Sequence, residues 1–224
     1  MITLLVAVTV AGLVTGRLVR RTMTTMQDRR AAQLPVPGRE GPKRAEERRA
    51  TEDDRQKGLP CALGDVVLLA GGEEAWLAGA VLFRERAAHR DESGEVTRTV
   101  AALFVAPESG RDRAVYARSS PEVSLDWMAP LAPAALTLGG EPPSAIEHDG
   151  ERFERVRRVP LALECVGAGA PDLGARGVVG EYEGGGGARL LVVIGASGTR
   201  AWRGRRLDQG MYEILPGKRD RDAG

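Results

Sequence analysis

The chain has 224 residues, 42% hydrophobic but only 4% aromatic, with 29 glycines and a formal net charge of +1. That length suits one ordinary domain with appendages, and its core must be built mainly from valine, leucine and alanine. The only lysines are Lys43, Lys57 and Lys218, so residues 59–216 hold none, which removes Walker-type phosphate binding, Schiff-base chemistry and a kinase-type lysine from that stretch.

Residues 2–16, "ITLLVAVTVAGLVTG", carry no charge, and Leu18 and Val19 extend the run past Arg17. Eighteen helical residues reach roughly 27 Å, close to the roughly 30 Å of a bilayer's hydrocarbon core. Nothing basic precedes the run, whereas Arg17, Arg20, Arg21, Arg29 and Arg30 follow it. A cleaved signal peptide has the opposite arrangement, a basic segment before the apolar one. The pattern predicts a single membrane anchor over 1–21 whose arginine flank stays in the cytoplasm, with Arg17, Arg20 and Arg21 at the lipid headgroups.

A juxtamembrane segment and linker follow over 22–58. Within 39–57, 13 of 19 residues are charged and none is aliphatic beyond alanine. No apolar stripe exists there to dock on anything, so a solvated connector is expected. The charge is divided unevenly along the chain. Residues 1–58 hold 12 basic against 7 acidic side chains, and residues 59–216 hold 17 against 22. An acidic body argues against nucleic acid as a partner, since phosphate-backbone contact needs a positive surface.

From 59 to 216 the pattern changes to short apolar runs separated by Gly, Pro, Asp and Ser. Strands are predicted at 66–69, 76–83, 100–105, 114–117, 152–156, 161–165, 178–182, 190–194, 200–203 and 212–215, the spacing of an all-β sandwich or barrel. No amphipathic stretch is long enough for the crossover helices of a parallel sheet. The run "LLVVIGASGTRAW" at 190–202 resembles the start of a nucleotide-binding βα unit. However, strand-like residues follow its glycines, and the Gly-x-Gly-x-x-Gly spacing is missing. A hairpin turn is the expectation there, and a hairpin loop at the four glycines 184–187.

Residues 102–130 echo residues 189–216: Ser109-Gly110 falls on Ser197-Gly198, and Leu103-Phe104-Val105 on Leu191-Val192-Val193. Two related halves, 59–136 and 137–216, are therefore expected to pack face to face, with a charged tail at 217–224.

The second half carries "GERFERV", then "GVVGEYEG", then "ARLLVVIGASGTRAWRGRRLDQGMYEILPG". These segments resemble a β-rich bacterial family of domains of unknown function. Phe153, Tyr182, Leu191, Val193, Gly204 and Leu207 match its motifs, and Gly195 stands where that family has an acid. Genes of the family often neighbour spermidine-synthase-like and phage-shock-type membrane-stress proteins. The resemblance implies a bacterial, membrane-associated setting and supplies no catalytic residues to carry over, while the arginine flank predicts an inner-membrane anchor with the body on the cytoplasmic side.

No catalytic set emerges. His89 and His148 sit among charged, turn-like residues without a Cys or second His at ligand spacing, so neither a metal nor a cofactor is expected. No serine lies in a Gly-x-Ser-x-Gly elbow. Cys61 and Cys165 adjoin apolar residues and read as two buried free thiols. Arginine is the one concentrated type. In extended strands Arg155 and Arg157 share a face, as do Arg203 and Arg205, with Trp202 opposite. That pattern allows an anion- or partner-binding patch, or a solvated face paired with Glu151, Glu154 and Asp208. The reading favoured by anchor and β body together is a non-enzymatic scaffold or adaptor that contacts other proteins. The alternatives are an anion- or ligand-sensing module and an accessory subunit of a polyamine-linked enzyme.

Overall fold

The computed structural model describes residues 55–86, 97–107, 112–136, 138 and 140–217, all within one compact unit, Ala50–Gly224. The expected anchor, with Arg17, Arg20 and Arg21, lies outside the described residues, as do residues 22–54 of the linker. Among the described residues no helix is long and apolar enough to cross a membrane.

Twelve strands follow in chain order. They are β1 (Val66–Leu69), β2 (Glu74–Trp76), β3 (Gly79–Arg86), β4 (Thr97–Ala106), β5 (Arg113–Arg118) and β6 (Ser124–Pro130), then β7 (Ala145–His148), β8 (Glu151–Gly167), β9 (Arg176–Glu183), β10 (Ala188–Gly195), β11 (Gly198–Leu207) and β12 (Tyr212–Leu215). Nine of them form one antiparallel sheet in the order β3-β4-β5-β6-β11-β10-β9-β8-β7, and β3 also pairs with β8. That last pairing closes eight strands into a barrel and leaves β7 as a flap on the start of β8. The other three, β12-β1-β2, make a separate small sheet.

Three apolar layers account for the sequence pattern. The barrel interior is filled from all eight strands by residues such as Phe83, Leu103, Tyr116, Leu163, Leu191 and Trp202. A second cluster lies outside β3–β6, where Leu82, Phe104, Val115 and Trp127 pack under the small sheet's Val67, Leu69 and Ala75. A third lies outside β9–β11, where Phe153, Tyr182, Leu190 and Val192 are covered by Ile146 of β7 and by Leu131, Leu136 and Leu138 of the segment between β6 and β7. Strands buried on both faces have no polar side to show, so they read as unbroken apolar runs. "RAVYAR" and "ARLLVVIG" are such strands, each with four consecutive buried residues.

The glycine turn is a hairpin. Gly195 pairs with Gly198 across Ala196-Ser197, and Gly198 holds a φ of 109°. The four-glycine stretch joins β9 to β10 through a short 3-10 turn, Gly185–Gly187, with left-handed backbone at Gly186 and Gly187.

Several expectations change. The predicted strand 76–83 is two strands, because Leu77 is held by backbone bonds to Asp65 and Gly64 instead of continuing the pairing. The predicted strands 152–156 and 161–165 are one 17-residue strand. Its Pro160 lies beyond the end of the β3 pairing, where a missing N–H is tolerated. Strands β6 and β7 were not expected at all. The two halves do not face each other as sheets. They lie side by side, β3–β6 and β8–β11, as meanders of one closed barrel. The echo aligned β4–β6 with β10–β12, yet β12 leaves the barrel to pair with β1. The end of the expected linker also belongs to the fold. Gln56 is buried and accepts a bond from the Leu63 N–H, and Arg55 reaches Glu164 at 2.6 Å.

Candidate functional site: an arginine cluster inside one end of the barrel

The predicted arginine patch is divided between two faces. Arg155 lies opposite Tyr182, and Arg157 lies opposite Glu181, because a β-bulge at Val156 adds one residue to β8. One extra residue reverses the face of everything beyond it. Arg155 therefore stays outside the barrel and donates to the Pro142 carbonyl, while Arg157 turns inward. Arg203 and Arg205 do share a face, the outer one, with Trp202 buried inside. Arg203 donates to Asp149 and Glu151, both at 2.8 Å, and lies 5.5 Å from the Phe153 ring centroid. Arg205 is exposed. The four residues do not form one site.

A different set converges instead. Strands β5 and β9 end, and β6 and β10 begin, at the same end of the barrel. The inward positions there are Arg118, Asp126, Arg157, Glu181, Arg189 and Arg206. Glu181 is the hub: its Oε1 accepts the Tyr116 phenol O–H at 2.8 Å, its Oε2 accepts Arg118 Nη1 at 2.8 Å, and Arg157 lies at 3.5 Å. Arg189 pairs with Glu183 at the rim. Asp126, with 6% of its side chain exposed, has Arg206 Nε 3.6 Å from its Oδ1, too far for a hydrogen bond. Asp126 Oδ1, Arg189 Nε and Arg206 Nε are buried without hydrogen-bond partners.

Burial raises the Asp126 pKa, against the lowering pull of Arg189, Arg206 and Arg118. Burial lowers that of Arg189, and the neighbouring Arg206 charge adds to the effect. Both shifts favour the neutral form and have burial as their largest cause: this end of the barrel holds its charges in poorly solvated surroundings. The space among these side chains is about 10 Å³.

Sequence reading missed Arg118, Asp126, Glu181 and Arg189 as a group. The available signal was phase: each is a charge at an inward position of a strand whose other inward positions are apolar.

A second feature lies on the outside. Beside the cover over β9–β11, the outer face where β8, β9 and the end of β10 run together is open, with Gly140 of the covering segment at its border. Pro160, Ala162, Val178 and Ile194 line an open groove there of about 590 Å³, with Arg84 and Arg176 at its edges. At the barrel's other end, Trp202 floors a cleft of about 220 Å³ edged by Arg113 and Arg200.

His148 lies on β7 with its Nε2 3.3 Å from Asp149, and its side chain is 11% exposed, less solvated than a loop position. Cys61 is buried as expected, but Cys165 is exposed, its Sγ 3.2 Å from the Pro171 carbonyl. Comparison with protein-family models, with curated proteins and with solved structures returns no match.

Proposed function

We propose that this chain is a membrane-tethered, non-catalytic scaffold or adaptor of a bacterial envelope-associated assembly, and that its barrel docks a partner protein through the groove on β8–β10. The observation that carries the reading is the groove itself. It is a largely apolar strip about 590 Å³ in volume on the outer barrel wall, beside the cover over β9–β11. Apolar strips with charged edges are the surfaces by which soluble domains recognise partners. Arg84 at the groove is paired with Glu164 at 2.8 Å, so Arg176 is the exposed cation there and favours a partner segment with an acidic residue beside its apolar part. The uncharged run at 2–16 and its arginine flank support the tether.

The test uses the full chain extracted from bacterial membranes in mild detergent. A stoichiometric partner should copurify, and Ala162→Glu or Val178→Glu should release it without altering the thermal midpoint. A chain that purifies as a clean monomer, or a partner retained by both groove variants, rules the reading out.

A further inference from the structure

We infer that the arginine end of the barrel is a binding site for inorganic phosphate that keeps a proton, entered from the barrel mouth and independent of the docking groove.

Charge comes first. Arg118, Arg157, Arg189 and Arg206 converge on Glu181, Asp126 and the rim residue Glu183. Four guanidinium groups meet three carboxylates, one of them half-exposed. A surplus cation in poorly solvated surroundings calls for an anion.

The second observation is independent of the count. The buried Nε donors of Arg189 and Arg206 make no hydrogen bond, and neither does Asp126 Oδ1, whose ion pair with the Arg206 Nε is stretched to 3.6 Å. Together they present two donors and one acceptor around a space of about 10 Å³, room for one oxygen atom. Arg206 and Arg157 keep 30% and 25% of their side chains exposed, so the remainder of a ligand has guanidinium groups to meet at the mouth. Planar guanidinium forks match phosphate oxygens.

Asp126 sets the chemical class. A carboxylate pointing into an anion site repels a fully ionised oxyanion and accepts a hydrogen bond from one that keeps a proton. Inorganic phosphate at neutral pH carries an O–H; sulfate carries none, and a phosphomonoester, with a second pKa of about 6, mostly carries none on its phosphate. The same arginines with the Asp126 acceptor therefore select phosphate over sulfate, as sites built to pair a hydroxyl reject analogues lacking it.

The test is calorimetric titration of the full chain in detergent with sodium phosphate, glycerol phosphate, sodium sulfate and sodium chloride. Phosphate should bind at least about tenfold more tightly than sulfate or chloride, the size of one good charged hydrogen bond. Glycerol phosphate, mostly without a phosphate O–H at neutral pH, should bind more weakly than inorganic phosphate, and a stronger response overturns the selection by Asp126. Arg206→Met should weaken phosphate binding by about tenfold or more, and Asp126→Asn should abolish the preference over sulfate. The exposed Arg205→Met should change nothing. No phosphate binding by the wild-type chain, or equal binding of phosphate and sulfate, overturns the site. Since the wild-type comparison needs no variant, a misfolded Arg206→Met does not shield the inference. A structure grown in phosphate with a single water against Asp126 and Arg206 also overturns it.

Discussion

Tyr116 on β5 and Glu181 on β9 meet inside the barrel, phenol O–H to carboxylate Oε1 at 2.8 Å, 65 residues apart in the chain. The Tyr116 ring stands edge-on to Phe83, centroids 5.9 Å apart. Its body thus belongs to the apolar interior and its hydroxyl to the charged end. Glu181 has three partners, Tyr116, Arg118 and Arg157, so the two residues are not energetically equivalent. Removing the hydroxyl in Tyr116→Phe leaves Glu181 still paired with arginine and should cost about 1–2 kcal/mol. Removing the carboxylate in Glu181→Ala strands two guanidinium groups and should cost about 3–5 kcal/mol. Urea unfolding of the two variants measures both. Equal costs would show that Glu181 is not the hub.

Stability should fall on the alkaline side. Burial, then the Glu181 charge, raises the Tyr116 pKa well above its ordinary 10.0. Burial pushes Tyr182 up to about 12, where its O–H donates to the Pro143 carbonyl. Burial, then Asp65, raises the Cys61 thiol above 9.0. In each case the fold holds the proton more tightly than the unfolded chain does. The contribution is therefore complete below the unfolded pKa and is lost as pH rises through the folded one. Unfolding free energy should be undiminished by these groups up to about pH 9 and then decline, with about 1.4 kcal/mol per pH unit from Tyr116 once the unfolded tyrosine ionises. Denaturant midpoints from pH 8 to pH 11 check this. Cys61→Ala should delay the onset and Tyr116→Phe should flatten the slope above pH 10.

Strand identity was legible where burial is continuous. β1 and β12 have the predicted bounds, and the cores of β4, β5, β9 and β10 lie inside the predicted runs. β6 was not legible, because "SLDWMAP" places Asp126 in mid-strand, and only the arginines of other strands make that charge acceptable indoors. β7 is four residues long and depends on Ile146 reaching Phe153 and Tyr182 for its place. The arginine site was misread for a geometric reason. Strict alternation assigns faces correctly to Arg203 and Arg205, but the bulge at Val156 that separates Arg155 from Arg157 has no local signature. Closure of the barrel depends on the β3–β8 pairing, a contact between Gly79–Arg84 and Ala162–Gly167 that no short-range pattern encodes.

Two glycines mark places where a neighbouring backbone, a strand at one and a loop at the other, lies too close for a side chain. A Cβ at Gly204 would lie inside the Trp127 carbonyl oxygen and 2.8 Å from the Met128 Cα, both on the neighbouring β6. A Cβ at Gly195 would collide with the Leu173 carbonyl oxygen. Neither glycine has positive φ, so the constraint is space alone. Gly204→Ala must push apart the β6–β11 seam that joins the two meanders, and should cost about 1–3 kcal/mol or more. Gly71→Ala is the matched control: nothing lies within 4 Å of its Cβ position and its φ is ordinary. That variant should be neutral or stabilising by up to about 1 kcal/mol. Thermal midpoints of the two rank them, and a neutral Gly204→Ala would mean that the seam is not close-packed.

The two thiols should differ in reactivity. Cys61 is 3% exposed and packs with Val67, Leu77 and Leu82 beneath the small sheet. With its pKa raised by burial, it is both inaccessible and un-ionised near neutral pH. Cys165 follows the inward alternation of β8 but comes near the strand's end, where its sulfur is exposed beside the Pro171 carbonyl. Exposure and thiolate fraction together set cysteine reactivity. Titration of the folded chain with an aromatic disulfide should therefore consume one thiol per chain quickly, and a second only in denaturant. Cys165→Ser should eliminate the fast phase and Cys61→Ala should leave it intact. Two fast equivalents in native buffer would mean that the small sheet opens readily over Cys61.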